Sequence, residues 1–454
     1  MNRRMFLTSA TAALIARGAD TDPEAAVLAR IRAPEFPNRD FDVTEFGARG
    51  DGSMNCTGSI RKAIGACSEA GGGRVIVPSG VFLTGAIHLK TGVNLHVSDG
   101  ATLRFSQDPK DYLPVVFSRW EGTECMNYSP FVYAFEQTNI AISGGGTLDG
   151  QADCEHWWPW KGKAGCGWEK GQPNQAKARA ALQAFGESAT PVKDRFFGEG
   201  HYLRPQFIQP YRSKNVLIEG VTIRNSPMWE IHPVLCRNIV VRNVSIDSHG
   251  PNNDGCDPES CNGVLIQNCT FDTGDDCIAI KSGRNGDGRR LGTPCEDLVI
   301  TGCTMKDGHG GVSVGSEISG GVRNVFVSSC RMSSPHLERA LRIKTNSYRG
   351  GVIENIWFRK VSIGQVANDA VQIDFSYEEG EGGPFQPVVR DVFISDVTCG
   401  KCDDALSLRG YASSPIRNVR LTDCTFERAS KPNAIEHVEG LELKNISING
   451  KPVR

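Results

Sequence analysis

The 454-residue chain has almost no excess charge of either sign, with 50 Lys and Arg against 52 Asp and Glu. There is no basic surplus of the kind that holds a nucleic-acid backbone, and no block of like charge that would form a disordered tail. Long apolar runs are missing too. Beyond the first few residues no segment is long enough to cross a bilayer, which excludes a membrane-embedded chain. Long helical patterns are scarce. What the chain has in quantity is glycine, 51 residues against 20 Phe and 7 Trp, as expected for many turns and short strands. Hydrophobic content of 39% and charged content of 22% fit a soluble globular protein.

The start has its own pattern. Arg3-Arg4-Met5-Phe6-Leu7 precedes a short apolar run from Thr8 to Ala16. Basic residues before a short apolar segment read as an export signal, and the paired arginines with Phe6 and Leu7 resemble a twin-arginine signal. An ordinary secretory signal is the alternative. Residues 1–20 are therefore expected to be a removed signal, and residues 21–454 one domain delivered to the periplasm or the exterior.

Sixteen cysteines in an exported chain raise the question of disulfides. Their spacing argues for few of them. Cys236 and Cys261 each stand two residues before a strand-like run, and Cys269, Cys303, Cys330 and Cys424 recur at one position inside such runs. That recurrence predicts a stacked column of buried thiols behaving as small hydrophobes. Cys399 and Cys402 form one C-x-x-C with no matching pair, so structural zinc is not expected.

An irregular repeat organises the chain. Nine-residue runs begin at Asn215, Asn238, Gly263, Asp297, Asn324, Asn355, Asp391, Asn418 and Gly440, spaced 22 to 36 residues apart, with an earlier member at Asn139. Such periods mark stacked units. Each run alternates apolar and polar residues and is interrupted by a polar or glycine pair such as Glu219-Gly220 or Arg242-Asn243, which predicts two short strands meeting at a bend. Further strands are expected at Cys277–Lys281, Val312–Val314, Leu341–Lys344 and Val371–Asp374. Three short strands per unit predict an all-β fold, a single right-handed parallel β-helix. A propeller would need blades nearer 40–45 residues. Thr57 to Ala70 has helical spacing at Ile60, Ala63, Ile64 and Cys67 and is read as a cap on the N-terminal end. Between Gly150 and Tyr202 the repeat is lost. This stretch, with four tryptophans and several lysines, is expected to be a long loop insertion from one coil.

Four clusters fall on successive coils: Asn252-Asn253-Asp254, Gly274-Asp275-Asp276, Gly308-His309-Gly310 and Arg342-Ile343-Lys344. Each alone has a plain structural reading as a turn or a solvated strand face. Together, in register, they would gather three carboxylates within reach of one another, since coils stack about 4.8 Å apart. Crowded carboxylates cannot all ionise, so one should keep its proton beside one or two ionised neighbours. An acid beside a base is what glycoside hydrolysis requires. His309 could tune the acid, and Arg342 and Lys344, two apart on a strand, could hold a substrate carboxylate. One difficulty is visible in advance. Strict alternation sends Asp275 and Asp276 to opposite faces unless the backbone bends there.

In this order and context (PNNDGCDPESC, FDTGDDCIAIKSGRN, KDGHGGVSVGSE, RALRIKTNS) the clusters resemble glycoside hydrolase family 28, the polygalacturonases. The likeness runs from Phe41 to the last coil, with Asn253 standing where the family usually has Thr. The resemblance implies inverting hydrolysis of α-1,4-galacturonosidic bonds, with Asp275 as general acid, Asp254 and Asp276 activating water, and His309 sustaining the proton on Asp275. It implies that Arg342, Lys344 and, more loosely, Tyr377 bind substrate, with Asn252 beside them. Inversion sets an expected acid–base separation of about 6.5–9.5 Å. Arg284, with Arg289 and Arg290, is expected to hold a chain end, and the 150–202 insertion with Trp120-Glu121-Gly122 to close one end of the cleft, which favours exo action. No metal or cofactor is expected. The expected partner is an anionic polysaccharide and the expected state a monomer. The rival readings are a relative acting on rhamnogalacturonan or a decorated pectin, a calcium-dependent pectate lyase, and a glycan-binding β-helix without activity.

Overall fold

A computed structural model describes residues 22–453. The export signal expected at residues 1–20 lies outside this range. The described chain winds into a stack of parallel coils. Each full coil contributes a longer strand, a short strand after a bend, and a third strand on a separate face. One coil runs Asn262–Gln267, Thr270–Thr273 and Ile278–Ile280, and the next runs Cys295–Thr301, Thr304–Asp307 and Val312–Val314. Corresponding strands pair in parallel register, for example Val264↔Leu298↔Val325 on the first face and Ile278↔Val312↔Leu341 on the third. This is the parallel β-helix that the repeat predicts.

Two corners of each coil explain the repeat. The first residue of the nine-residue run takes the left-handed conformation: Asn139, Asn215, Asn238, Gly263, Asp297, Asn324, Asn355, Asp391, Asn418 and Gly440 all have φ between 52° and 74°. Only Gly, Asn and Asp visit this region at low cost, so the corner restricts the residue type at a fixed place in every coil. The asparagines add a ladder along the stack, with Asn215 Nδ2 donating to Asn139 Oδ1 at 2.7 Å and Asn238 Nδ2 to Asn215 Oδ1 at 2.7 Å. The second corner, between the paired strands, is also left-handed at Gly220, Asn243, Asn268 and Gly302.

Inside, apolar side chains stack by type. Register places Cys269, Cys303 and Cys330 directly above one another, and Cys236, Cys261 and Cys295 in another column. All sixteen cysteines are free thiols and fourteen are buried, Cys154 and Cys166 being the exceptions. The helix Thr57–Glu69 buries Ile60, Ala63, Ile64 and Cys67 against the first coils, the face its spacing predicted. A second helix, Pro23–Leu28, packs Val27 on an outer wall formed by Leu217, Val240, Leu265 and Val299.

The corner between the second and third strands positions the site. On two N-terminal coils it is expanded into excursions. One, between Ala101–Phe105 and Val132–Phe135, carries the antiparallel hairpin Val116–Trp120 with Thr123–Asn127. The other, between Thr147–Asp149 and Ile208–Tyr211, holds the irregular stretch of residues 150–202. Here the chain forms short turns, the helix Ala176–Glu187 and the strand Phe196–Phe197, which joins the hairpin. Trp120, Leu182, Phe197, Leu203 and Trp229 share a small apolar core that fixes both excursions to the stack. On the following coils the same corner is short; after one that carries Asn225–Glu230, three successive coils carry Asn252–Asp254, Asp275–Asp276 and His309 there. The excursions therefore stand at the edge of that row of short corners. No helix among the described residues is long and apolar enough to cross a membrane.

Candidate active site

The short corners and the strands behind them line a cleft of about 300 Å³. Asp254, Asp275, His309, Arg342, Lys344, Tyr377 and Asn252 all border it. One oxygen each from Asp254, Asp275 and Asp276 lies within 4.8 Å of the others. Residues 274–276 are a bend outside both flanking strands, so alternation does not separate Asp275 from Asp276. Register aligns Asp254 with Asp276, and Asn253 with Asp275, a one-residue offset from the 21-residue spacing that would pair Asp254 with Asp275.

The three carboxyls sit in different surroundings. Asp276 is fully buried; it accepts from Ser313 Oγ at 2.8 Å and from Lys344 Nζ at 2.7 Å, and Arg342 stands 3.5 Å away. Burial opposes its ionisation, but Lys344, Arg342 and Lys281 outweigh burial and hold it strongly ionised. Asp254 is also buried. Its Oδ2 lies 3.8 Å from Lys281 Nζ, and its Oδ1 has no hydrogen-bond partner among the described residues. Burial, then the neighbouring Asp257 and Asp275, push its pKa well up. Asp275 is the most exposed of the three, its Oδ1 3.0 Å from His309 Nδ1 and its Oδ2 3.5 Å from Asn252 Nδ2. Burial works against its charge, yet the His309 hydrogen bond prevails and lowers it, while the same bond raises His309. The carboxyl that crowding lifts is thus Asp254, not the Asp275 expected. The contact between Asp275 and His309 favours a carboxylate on the first and an imidazolium on the second.

Arg342 and Lys344 share the ring of Tyr377, at 5.5 and 5.2 Å from its centroid, which places that tyrosine in the cleft. Arg284 corrects the sequence reading. It does not line the cleft but is buried behind it, 3.5 Å from Glu317, 3.3 Å from Glu378 and 3.2 Å from Glu379. Arg289 stacks on Phe385, and Arg290 pairs with Glu124 and Asp287, so none of the three is free for a chain end. Asn253 turns inward, accepting from Ser248 Oγ and donating to the carbonyls of Ser226 and Met228, a structural role.

Sequence reasoning missed Lys281. This buried lysine lies 3.3 Å from Glu317, 3.8 Å from Asp254 and 3.9 Å from Asp257, under the ring of Trp229 at 4.4 Å. Its signal was present: register puts Ile280, Val314 and Ile343 in one column, so the next residues, Lys281, Gly315 and Lys344, form another. The three carboxylates are close enough to grip a cation, but Lys344 and Lys281 already supply positive charge to Asp276 and Asp254. His249, Asp272 and Asp307 form another group of possible ligands on the outer wall, with Lys306 4.0 Å from Asp272. From the excursions come Glu121, Lys161, Lys163 and Arg179, all bordering the cleft.

Comparison with known proteins agrees with this arrangement. The sequence profile of glycosyl hydrolases family 28 matches residues 197–447, more than half of the chain. The chain belongs to glycosyl hydrolase family 28. Among solved structures, it is similar to a hyperthermoactive exopolygalacturonase from Thermotoga maritima, 48% identical with a TM-score of 0.92, covering 94% of this chain and 96% of that one. It is 28% identical to an exo-poly-alpha-D-galacturonosidase of Dickeya chrysanthemi, over 90% of this chain and 71% of that protein. A probable polygalacturonase of Vitis vinifera is also 28% identical, over 88% of this chain and 77% of its own length. The family-28 match covers all four clusters, while the excursion of residues 150–202 lies almost wholly ahead of it.

Proposed function

We propose that this glycoside hydrolase cleaves α-1,4-galacturonosidic bonds in polygalacturonate, working from a chain end. The observation that carries the reading is the pairing of a carboxylate trio with two cations, the partly exposed Arg342 and the buried Lys344, on one wall of a single cleft. A neutral sugar gives such cations nothing to neutralise, whereas a galacturonate carboxylate suits a guanidinium beside an ammonium. The similar exo-acting proteins of Thermotoga maritima and Dickeya chrysanthemi support the same substrate and mode. A pectate lyase would need a calcium ion where Lys344 and Lys281 supply the charge, and a mere binding module would have no need of crowded buried carboxyls.

In this reading Asp275 delivers the proton to the glycosidic oxygen, because it is the carboxyl nearest the open cleft. Substrate entry displaces water and adds a negative carboxylate nearby, and both effects raise Asp275. The proton held on His309 then becomes available to it across the 3.0 Å hydrogen bond. Asp276, locked ionised by Lys344, deprotonates the attacking water, and Asp254, with an acceptor oxygen open to that water, shares the task in its ionised form, which Lys281 favours against burial and Asp257. The carboxyl oxygens are closer than the usual inverting range of about 6.5–9.5 Å. We nevertheless assign inversion, since Asp276 is gripped from two sides and poorly placed to become a nucleophile.

Exo action is supported by the excursions, whose Glu121, Lys161 and Arg179 form part of the cleft wall. We also infer that residues 21–454 act as one catalytic unit, monomeric because one chain completes the cleft. The Arg3-Arg4 segment supports export through a twin-arginine signal. The test is incubation with de-esterified polygalacturonate plus EDTA. New reducing ends without ultraviolet absorbance, and monomer or dimer from the outset, are expected. An ultraviolet rise would mean elimination, and no release would move the substrate to rhamnogalacturonan.

A further inference from the structure

The cleft has a second cationic wall that the four clusters do not contain. Lys161 ends a short turn, Trp158–Lys161, in the excursion of residues 150–202. Trp157 and Trp160 anchor this turn, their rings 4.9 Å apart, with Trp157 set against Tyr112 and Phe131 in the apolar core. The lysine is therefore held on a fixed backbone rather than waving from a loop. Its Nζ donates to Asn252 Oδ1 at 2.5 Å, an oxygen that also accepts from the buried Arg204 at 2.9 Å. The other end of the Asn252 amide faces Asp275.

No carboxylate lies within 4.0 Å of Lys161 among the described residues. Of the charges that act on it most, Arg204, Arg179 and Lys163 are positive and Glu121, paired to Arg179, is negative; Asp275 stands beyond Asn252. Burial, then Arg204, lowers its pKa to about 8. A half-buried ammonium among cations with no acid of its own is costly. That cost makes sense if an anion from outside is to be bound there.

Position along the stack says which anion. Lys161 reaches the Asn252 coil, Asp275 lies on the next, and Arg342 and Lys344 sit two coils further. With coils about 4.8 Å apart, the two cation groups flank the acid on opposite sides. We propose that Lys161 binds the carboxylate of the sugar across the scissile bond from the one held by Arg342 and Lys344, so that the cleft demands a free carboxylate on both. This rests on the galacturonate reading above and extends it to a specificity residue supplied by the excursion.

The test compares wild type, Lys161→Met and Lys161→Arg on oligogalacturonates whose non-reducing terminal carboxyl is free or methyl-esterified. For wild type, esterification should raise KM roughly 10- to 100-fold, the loss of one charge-assisted contact. In K161M the free-acid substrate should show that same rise, and esterification should then change little. K161R should recover most of the wild-type KM. Because the cation is needed, kcat/KM of wild type should fall as pH rises through about 8, and that limb should move upward in K161R. If K161M stays within twofold of wild type in KM and still rejects the ester, the proposal is wrong while the hydrolase reading stands. If K161M does not fold, a wild-type enzyme indifferent to the ester, or without the alkaline limb, overturns it. Failure of wild type to release galacturonate from any of these substrates would instead refute the function itself.

Discussion

Replacing Lys281 by methionine should cripple the enzyme from beneath the cleft. The lysine is buried at the edge of the cleft, is the cation nearest Asp254, at 3.8 Å, and also faces Asp257 and Glu317. With an effective dielectric of about 20, a charge pair at this separation is worth about 4 kcal/mol, or about 3 pKa units for the carboxyl that loses it. Asp254 is already pushed up by burial and by Asp257. Without Lys281 it should remain protonated through the working range and lose its power to take a proton from water. Glu317 keeps Arg284 at 3.5 Å and so should stay ionised. The expected result is an acid limb of kcat/KM displaced upward by about 2–3 pH units. Stability should fall by about 3–5 kcal/mol, since the buried Asp257 also loses the cation 3.9 Å from it. The assay is the pH profile of the folded variant, with circular dichroism to confirm the fold. A limb within half a unit of wild type would refute the view that Lys281 sets the charge on Asp254.

Asp275→Asn should lower kcat by at least about 10²–10⁴-fold with KM nearly kept, measured by galacturonate release; near-normal turnover would move the acid elsewhere in the trio. Proton NMR of the first product should show the β-anomer before mutarotation, and an initial α-anomer would mean that the short carboxyl separation signals a covalent intermediate. Glu230 is fully buried, both oxygens lack hydrogen-bond partners among the described residues, and burial pushes its pKa well up. A carboxyl raised in the folded state favours folding below its unfolded pKa of about 4.3, and that contribution is lost as pH rises toward the folded value. Glu230→Gln should therefore flatten the decline of stability between pH 4 and neutrality in denaturant melts, and an unchanged slope would show that Glu230 does not titrate in this window.

The coils and the trio were readable in the sequence for one physical reason. A left-handed corner admits few residue types, so Asn, Gly and Asp mark the start of every coil from Asn139 to Gly440. Once coils are aligned, Asp254, Asp275, Asp276, His309 and Arg342 fall into line. What escaped was set by contacts across large sequence distances. Arg284 looked free until Glu378 and Glu379, more than 90 residues away, covered it. Lys161 lies where the repeat stops, so no register predicted its approach to Asn252. The expectation that Asp275 would keep a raised pKa failed because spacing shows proximity but not depth. Asp254 sits deeper, and the His309 hydrogen bond favours the charged form of Asp275.

The columns of buried sulfur bear on how this chain comes to be folded. Cys269, Cys303 and Cys330 face one another with no wall between them, and only the packed coils keep oxidants away. A chain that met a disulfide-forming environment while its coils were still separate would have many mispairings open to it, each locking the stack out of register. The same chain with its coils already stacked would offer only Cys154 and Cys166 at the surface. For a chain exported into such an environment, maturation would be a race between stacking and oxidation, with the order of the two deciding whether the thiols serve as core or as traps.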